Sequence, residues 1–481
     1  MANLIIWNTI NNPGCITRSS RPAGAHILAQ WLITFGFTVK VIDFCSSMPT
    51  SDLVAITRKY IDSHTVAIGA SSTFWENDAT SIVHVTPRPP MAVLMQFRKS
   101  EPPKWVSAAR SQIESAFPKL DWILGGANSE TPLTNKWVTF HGYPEDAVRL
   151  YLDEKLSIAR HYVPYNIQTA TNTYMDGLGI RPSEVLGIEW GRGCQFRCGF
   201  CRYHMNGKKK GTYLRDPEIV KQDMLLNYER YGTTRYNYLD DTTNESYEKV
   251  VDMANVAQSL PFEVEWVGYG RLDLVGSNRH TIKILRDSGL RSMFFGIETF
   301  NKEASKMIGK GWNGVHGKEF MLELKDIWAN EINFHTSFIV GLTPETSEEL
   351  HSTLQWCIDN NFYSWRFIPL TISSEKILNV SEFDKDCGKY GYNFPDTGRT
   401  GYWVNEHWNY ESALEKSKEL NMASASYMQP VAFSLGAVAN ITNQTMKQVM
   451  ATQKHDIRLY ERLADAVIAE YVSYQLNLPD K

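Results

Sequence analysis

Three cysteines lie within nine residues of the sequence, in the stretch "GCQFRCGFC" (193–201), and their thiolates could bind a metal. Cys194, Cys198 and Cys201 follow a C-x3-C-x2-C spacing, and the other four cysteines of the chain are scattered singly. An odd total of seven argues against a disulfide framework. Closed structural zinc sites take four protein ligands, so a zinc knuckle completed by His204 is one interpretation. The other is an iron–sulfur cluster that leaves one position for a further molecule.

Two regions of alternating strands and helices must position these cysteines. In the first, residues 1–156, apolar runs at 3–7, 38–44, 65–72 and 121–126 have the pattern of strands buried on both faces, and 137–142 adds another. Helices are expected at 21–36 and 143–156. This order predicts a doubly wound, Rossmann-like α/β domain with a parallel sheet, interrupted by a long excursion at 73–104 and followed by a linker at 157–184.

The second region, residues 185–372, repeats the alternation with six strands. Five of them follow the strand that leads into the cysteines, and they are expected within 235–241, 262–270, 292–299, 333–341 and 365–371. Six parallel strands predict a partial TIM-type (β/α)6 barrel, whose chemistry should lie at the carboxyl ends of its strands. The cysteine loop follows the first strand, where that rule places it.

Residues 373–481 are predicted to form a mainly helical C-terminal region that covers the substrate. Its last helix, 456–476, carries an apolar stripe that predicts a packing helix, composed of Leu459, Leu463, Val467, Tyr471 and Tyr474.

The cysteine spacing after a first barrel strand resembles that of the radical S-adenosylmethionine (radical SAM) enzymes. The resemblance implies that Cys194, Cys198 and Cys201 hold three irons of a 4Fe-4S cluster, while S-adenosylmethionine chelates the fourth. Reductive cleavage of that cosubstrate would give methionine and a 5′-deoxyadenosyl radical that abstracts hydrogen from a substrate. Phe200 matches an aromatic residue near the adenine.

Further segments resemble motifs of the same family, each at the end of a predicted strand. They are "YLDDTTN" (238–244), "VGYGRLDLV" (267–275), "FFGIETFN" (294–301) and "FIVGLTPETSEEL" (338–350). In the last, Thr343 and Pro344 replace the usual Pro and Gly. The resemblance implies that S-adenosylmethionine is contacted by Asp240, Asp241, Arg271, Glu298, Gly341 and Glu345.

The N-terminal domain is similar to the cobalamin-binding domain of one radical SAM group, through "RPAGAHILAQWLITFGFTVKVIDF" (21–44). The similarity implies that a corrinoid would face Ser71, Ser72, Gly125 and Gly126. The loop at 8–20 lacks the D-x-H-x-x-G histidine, and His26 lies within the following helix. Two hypotheses remain open: cobalamin bound without a protein imidazole, which implies radical methyl transfer, or a domain without cobalamin and a different radical reaction.

The composition limits the classes of binding partner that are expected for this protein. A net charge of −4, from 49 basic and 53 acidic residues, gives no general attraction to nucleic acid or anionic membranes. Lys208, Lys209 and Lys210 could still bind an anion, so a non-catalytic metal module that binds nucleic acid is the alternative from another class. No secretory signal and no apolar run of about eighteen residues occur, so a cytoplasmic protein without membrane association is expected.

The substrate is expected to be a small molecule, with a modified base or another aromatic compound as one option. The segment "GYWVNEHWNY" (401–410) could stack on a planar ring, although aromatic packing against the barrel is the simpler interpretation. Radical SAM chemistry also implies an external electron donor of the flavodoxin or ferredoxin type.

Overall fold

The computed structural model describes most of the chain, and every structural statement below refers to that part. The described residues are 2–8, 16–71, 103–125, 137–139, 144–202, 213–310, 314–373, 381–397, 401–424 and 429–479. None of the helices described there is both long and apolar enough to cross a membrane.

The N-terminal residues fold as a doubly wound α/β domain, as predicted. Its elements are β1 Leu4–Trp7, α1 Ala23–Thr34, β2 Val39–Ile42, α2 Thr50–Tyr60, β3 Ala67–Ser71, α3 Lys104–Glu114, β4 Asp121–Gly125, β5 Trp137–Thr139 and α4 Pro144–Lys155. The five strands pair in parallel in the order β2-β1-β3-β4-β5. The strand order reverses between β1 and β3, and such a switch point is where doubly wound folds bind ligands.

The second region forms a six-stranded parallel sheet, which confirms the predicted partial barrel. Its strands pair in sequence order, and its elements are β6 Leu186–Ile188, α5 Pro217–Tyr231, β7 Arg235–Tyr238, α6 Tyr247–Ser259, β8 Glu265–Gly270, α7 Leu272–Ser277, α8 Thr281–Asp287, β9 Leu290–Glu298, α9 Lys302–Met307, α10 Gly314–Trp328, β10 Asn333–Val340, α11 Ser347–Asp359 and β11 Ser364–Pro369. Local signals set several helix ends: the Asp216 side chain caps α5, and Gly232 ends it with a φ of 64°.

The interior face of this barrel is built from rows of side chains on neighbouring strands. On the outer face, Phe295 and Phe334 pack against Trp328 of α10. On the interior face, every second residue of a strand is paired with a residue of the neighbouring strand, so that the side chains form rows. From the amino to the carboxyl end, these rows are Val267, Ser292 and Asn333; then Tyr269, Phe294, His335 and Ser364; then Gly296, Ser337 and Arg366.

The helices of the C-terminal region pack against different parts of the molecule. They are α12 Glu382–Lys385, α13 Tyr410–Ser424, α14 Phe433–Thr442, α15 Met446–Met450 and α16 Ile457–Asn477. Residues 381–410 lie beside the cysteine loop, where the Phe383 N–H donates to the Gly199 carbonyl. Helix α13 runs along β11, and α16 packs on α2 and α14.

Residues 429–450 lie at the amino end of the barrel, opposite the cysteines. The Ala432 N–H donates to Ser292 Oγ at 2.6 Å, and Asn333 Nδ2 donates to the Pro430 carbonyl at 3.5 Å. At the start of β8, Glu265 accepts the Met446 N–H at 2.8 Å. This part of the C-terminal region therefore closes the bottom of the barrel, and the predicted covering role stays a prediction for residues 381–410.

The predicted stripe of α16 is partly wrong. Leu459 and Tyr474 are each 40% exposed, whereas the buried face comprises Tyr460, Ala464, Val467, Ile468, Tyr471, Val472 and Gln475. The helix is held between α2 and α14. Its buried face is therefore decided by two neighbours, which the apolar spacing alone does not reveal.

Residues 157–184, predicted as a linker, contain no strand or α-helix and yet pack closely. Tyr174 and Leu178 are buried in the main hydrophobic core. Glu184 forms an ion pair with Arg21 at 2.7 Å, and Arg21 also pairs with Asp43 at 2.6 Å. These buried contacts join the N-terminal domain to the first barrel strand.

Candidate functional site

The cysteine loop lies at the carboxyl ends of the barrel strands, and side chains from two neighbouring strand ends contact its sulfur atoms. Cys194 Sγ lies 3.4 Å from Thr242 Oγ1, just beyond β7, and accepts the Phe196 N–H at 3.4 Å. Arg271, which follows β8, donates from Nη1 to Cys198 Sγ at 3.3 Å. Strand ends far apart in the sequence therefore contact two of the three predicted ligands, and Arg271 is an assigned side-chain donor to one of them.

Arg271 is held in this position by its own partners. Its guanidinium pairs with Asp273 at 2.7 Å and lies 4.1 Å from the ring centroid of Phe196. Asn244 accepts the Arg271 N–H at 2.8 Å and donates to its carbonyl at 2.9 Å. Asn244 was not predicted as a site residue, although it belongs to the polar "YLDDTTN" stretch.

The donor set fits an iron–sulfur cluster better than a single metal ion. Among the described residues, no three His, Cys, Asp or Glu side chains are close enough to share one ion. His204, the fourth ligand of the zinc interpretation, and Lys208–Lys210 lie outside the described residues. A 4Fe-4S cluster requires a wider arrangement because each thiolate binds a different iron, and donors aimed at the sulfurs are its usual second layer of contacts. Burial raises the pKa of the Cys194 thiol, so metal binding there would release a proton.

The adjacent carboxyl groups of Asp240 and Asp241 have different surroundings. Asp240 is buried, accepts the Trp190 N–H at 2.8 Å and pairs with Lys249 Nζ at 2.6 Å. Asp241 accepts a backbone hydrogen bond from Gly193, and burial raises its pKa to about 7. Asp240 therefore ties β7 to the strand that precedes the cysteines, while Asp241 directly adjoins the cysteine loop.

Glu298 ends β9 with an unusual backbone conformation. Its φ is +71°, and its side chain is buried beside Ser337 Oγ at 3.4 Å and Lys310 Nζ at 3.6 Å. Gly296 makes room for it, because a Cβ there would lie 2.2 Å from Glu298 Oε1. Burial raises the pKa of this carboxyl group. Positive φ at a non-glycine residue costs free energy and is concentrated at functional sites.

The turn after β10 is supported by the segment 381–410. Gly341 has a φ of +104°, and a Cβ there would lie 2.5 Å from Trp403 Cη2. The Gly341 carbonyl accepts from Tyr392 Oη at 2.9 Å and from Asn405 Nδ2 at 3.0 Å. These close contacts explain why the position requires glycine. Tyr392 and Asn405 were not predicted, since only the fold brings them to this turn.

Glu345, in the same turn, is almost completely buried. Its Oε1 accepts from Thr299 Oγ1 at 2.6 Å, and burial raises its pKa to about 8. The Trp408 Nε1 donates to the Glu345 carbonyl at 2.7 Å. Trp403 and Trp408 are both buried, so these tail aromatics pack against the barrel, as the simpler interpretation of 401–410 expected.

Phe200 lies between two of the predicted ligands and is partly buried against the main core. The N–H of the preceding Gly199 donates to the Ile308 carbonyl at 3.0 Å. The structure therefore places Phe200 in the cysteine loop, and its contact with adenine stays a prediction.

The predicted corrinoid-facing residues are described only in part. Ser71 ends β3 and Gly125 ends β4, whereas Ser72 and Gly126 lie outside the described residues, as does most of the excursion at 73–104. His26 is fully buried, with Nε2 3.1 Å from Asp43 Oδ1. It therefore packs within the domain, as a lone helical histidine usually does, beside residues that directly follow β1 and β2.

This arrangement of strands and cysteines defines the class of protein. Residues 188–357 match the family model described as the Radical SAM superfamily. The barrel region of this chain therefore matches a radical SAM domain, and such a domain implies a 4Fe-4S cluster and S-adenosylmethionine as cofactors.

Curated relatives match part of this chain. The chain is 25% identical over 165 residues to an uncharacterized methyltransferase, PH0819, of Pyrococcus horikoshii, a match that covers 34% of this chain and 35% of the relative. It is 25% identical over 234 residues to the anaerobic magnesium-protoporphyrin IX monomethyl ester cyclase of Cereibacter sphaeroides, covering 46% and 36%. The chain thus matches about a third of the length of these relatives.

Solved structures share the fold beyond the barrel. The radical SAM methyltransferase TsrM of Kitasatospora setae, solved with cobalamin and a [4Fe-4S] cluster, has a TM-score of 0.60 at 13% identity, covering 96% of this chain and 99% of that one. The cobalamin-dependent radical enzyme OxsB, solved with aqua-cobalamin and S-adenosylmethionine, has a TM-score of 0.52 at 15% identity, covering 74% and 52%. At these identities the likeness establishes the fold alone.

Proposed function

We propose that this protein reductively cleaves S-adenosylmethionine at a 4Fe-4S cluster held by Cys194, Cys198 and Cys201, and thereby activates a substrate inside the barrel. The observation that carries the proposal is the donation of Arg271 Nη1 to Cys198 Sγ, with Thr242 Oγ1 3.4 Å from Cys194 Sγ, at the carboxyl ends of the barrel strands. When bound, the cluster and S-adenosylmethionine supply one-electron cleavage of a carbon–sulfur bond, giving methionine and a 5′-deoxyadenosyl radical that takes a hydrogen atom from the substrate.

The chain's own residues would bind and orient the cosubstrate. Glu298 and Asp241 offer carboxyl groups beside the cysteine loop, suited to an amino group or ribose hydroxyls. Gly341 has no Cβ, so the turn can pack directly on Trp403. This packing would fix the backbone of the turn that contacts a planar group of the cosubstrate. Glu345 supports the turn through Thr299.

The test is anaerobic reconstitution with iron and sulfide, followed by reduction in the presence of S-adenosylmethionine. We expect a broad absorbance near ~400 nm and release of 5′-deoxyadenosine and methionine. Cys198→Ala should lose both, while Cys387→Ala, which changes a cysteine outside the loop, should retain both. One equivalent of zinc without cleavage would contradict the proposal. Flavodoxin or ferredoxin is the proposed natural class of reductant, and dithionite replaces it in this assay.

A second candidate function is cobalamin-dependent radical methyl transfer. It is favoured by the doubly wound domain before the barrel and by the fold shared with TsrM and OxsB. His26 is completely buried, with Nε2 3.1 Å from Asp43 Oδ1, so the proposal is for cobalamin bound without a protein imidazole. A corrinoid would instead contact the edge that carries Ser71 and Gly125.

The two candidates differ in corrinoid binding. The reconstituted protein is incubated with hydroxocobalamin, desalted and examined by its absorption spectrum. Retention of a corrinoid in about one equivalent would support the methyltransferase, and complete loss would favour another radical reaction. Ser71→Trp should block retention if the corrinoid lies at that edge, whereas Ser51→Trp, on an exposed position of α2, should not.

A further inference from the structure

Four side chains form a continuous row across the barrel interior, one level below the proposed cosubstrate site. Tyr269, Phe294, His335 and Ser364 are paired across β8, β9, β10 and β11. The ring centroids of Tyr269 and Phe294 are 5.0 Å apart, and those of Phe294 and His335 are 4.7 Å apart with the ring planes inclined at 30°. The row therefore presents an aromatic surface with one polar ring at its end.

Part of this row faces open space inside the barrel. Tyr269 is 37% exposed although it belongs to the third of six strands and its neighbours on β8 are buried. Its ring contacts Phe433 of α14 at 4.8 Å between centroids. Residues 430–432 close the amino end, and the exposed surface of Tyr269 is the part of the row that a ligand can reach.

His335 carries a buried hydrogen-bonding atom without a partner. The residue is 7% exposed, and its Nδ1 lies 2.8 Å from Ser364 Oγ on β11. Its Nε2, at the outer end of the ring, is buried and has no hydrogen-bond partner among the described residues. A buried polar atom left unpaired costs about 1–3 kcal/mol, which favours a ligand that would complete it.

The row lies close to two of the carboxyl groups that are proposed to contact the cosubstrate. Ser337, which contacts Glu298, lies two residues from His335 along β10. At the rise of a strand, these two residues are about 7 Å apart. Asp241, beside the cysteine loop, is close enough to Tyr269 for its charge to affect that phenol.

We propose that this row is a substrate subsite for an uncharged planar ring system, stacked on Tyr269 and Phe294, whose polar edge bonds to His335 Nε2. The inference rests on the proposed function and adds the substrate class to it. The imidazole is suited to a neutral partner, because burial and the nearby Arg366 lower the pKa of His335 to about 3. Neutral imidazole either donates or accepts at Nε2, according to the tautomer set by Ser364.

Two matched probes test the subsite without turnover. The probe 7-azaindole has a ring N–H and a ring nitrogen on one edge, and indene has nearly the same shape without them. Binding to the anaerobic, reconstituted protein with S-adenosylmethionine is measured by ligand-observed NMR titration. We expect 7-azaindole to bind the natural protein about tenfold more tightly than indene.

Variants separate the polar edge from the aromatic surface. His335→Phe keeps the stacking ring and should abolish the preference for 7-azaindole, while His335→Gln should restore part of it. Phe294→Leu should weaken both probes. His316→Leu, at a 72% exposed side chain on α10, is the control and should change neither.

The outcomes distinguish this inference from the proposed function. Equal affinity of the two probes for the natural protein, or an unchanged preference in folded His335→Phe and His335→Gln, would overturn the subsite. Release of 5′-deoxyadenosine without substrate is measured on the same samples and should not depend on His335. If that release fails in the natural protein while the probe preference holds, the proposed function falls and the ring subsite stands.

Discussion

Arg271 links the cysteine loop to the barrel by contacts with three side chains. Its guanidinium donates to Cys198 Sγ at 3.3 Å while Asp273 and Phe196 hold it in place. A positive charge beside a cluster sulfur stabilises the reduced, more negative state of a cluster. The residue therefore has a measurable electronic effect in addition to its packing.

Replacing Arg271 should make the cluster harder to reduce. A charged hydrogen bond contributes about 1.5–3 kcal/mol, which corresponds to about 60–130 mV for one electron. Arg271→Met should thus shift the midpoint potential by that amount to more negative values, as measured by redox titration at equal iron content. Arg279→Met, at a 58% exposed side chain, is the control. An unchanged potential in Arg271→Met would contradict the assigned contact.

Glu345 should make the stability of the protein depend on pH. Burial raises its folded-state pKa from 4.5 to about 8, so the folded chain holds this proton more tightly than the unfolded chain. Its contribution to stability is therefore fully present below pH 4.5 and is lost as the pH rises through about 8. Urea unfolding from pH 5 to 9 should show this loss, and Glu345→Gln should flatten it. Glu348→Gln, on the exposed start of α11, should leave the slope unchanged.

At the scale of elements, α13 covers the open edge of the barrel sheet. Asn421 accepts the Phe367 N–H at 2.9 Å and donates to its carbonyl at 2.8 Å, and Ser417 Oγ donates to the same carbonyl at 2.7 Å. An uncovered edge strand exposes unpaired backbone groups that promote aggregation. Helix α13 thus replaces a further strand next to β11.

Removing the side-chain amide of Asn421 should destabilise the edge of the barrel sheet at β11. Asn421→Ala leaves the N–H of Phe367 without a partner and should lower the free energy of unfolding by about 1–3 kcal/mol. Glu415→Ala, on the exposed side of α13, should change it by less than about 0.5 kcal/mol. Thermal unfolding and light scattering would measure stability and aggregation together. Equal effects of the two variants would contradict a role of α13 in covering the edge.

At the scale of the whole molecule, three parts of the chain meet at Arg21. It pairs with Asp43 of the N-terminal domain and with Glu184 before the first barrel strand. Its guanidinium also lies 5.1 Å from the ring of Tyr471 on α16, and the Asp43 N–H donates to Tyr471 Oη at 2.9 Å. This buried cluster fixes how the N-terminal domain sits against the barrel.

Breaking the cluster should destabilise the whole molecule. Arg21→Met removes the buried cation that Asp43 and Glu184 share and should cost about 3–5 kcal/mol. Arg58→Met, which removes an exposed hydrogen bond to the Gln112 carbonyl, should cost less than about 1 kcal/mol. Equilibrium urea unfolding measures both. A loss below about 1 kcal/mol in Arg21→Met would show that the domains are held together by other contacts.

The order of elements was predictable from the sequence, and so was the position of the candidate metal-binding cysteines at the end of a barrel strand. Strand and helix periodicity, helix caps such as Asp216 and the spacing of Cys194, Cys198 and Cys201 are local properties of the chain. They predict a parallel barrel with its chemistry at the carboxyl ends, because parallel strands align those ends at one edge. Local patterns also indicated "YLDDTTN" and "FFGIETFN" as polar strand ends.

The tertiary structure alone decided which of these groups share an environment. Asp240 pairs with Lys249, whereas Asp241 adjoins the cysteine loop. Three side chains of the C-terminal region contact Gly341, namely Tyr392, Trp403 and Asn405. Residues 429–450 lie at the amino end of the barrel. The tertiary structure also aligned His335 with Phe294 and Ser364 across three strands. Such contacts depend on strand register and on packing between residues far apart in the chain, which no local period encodes.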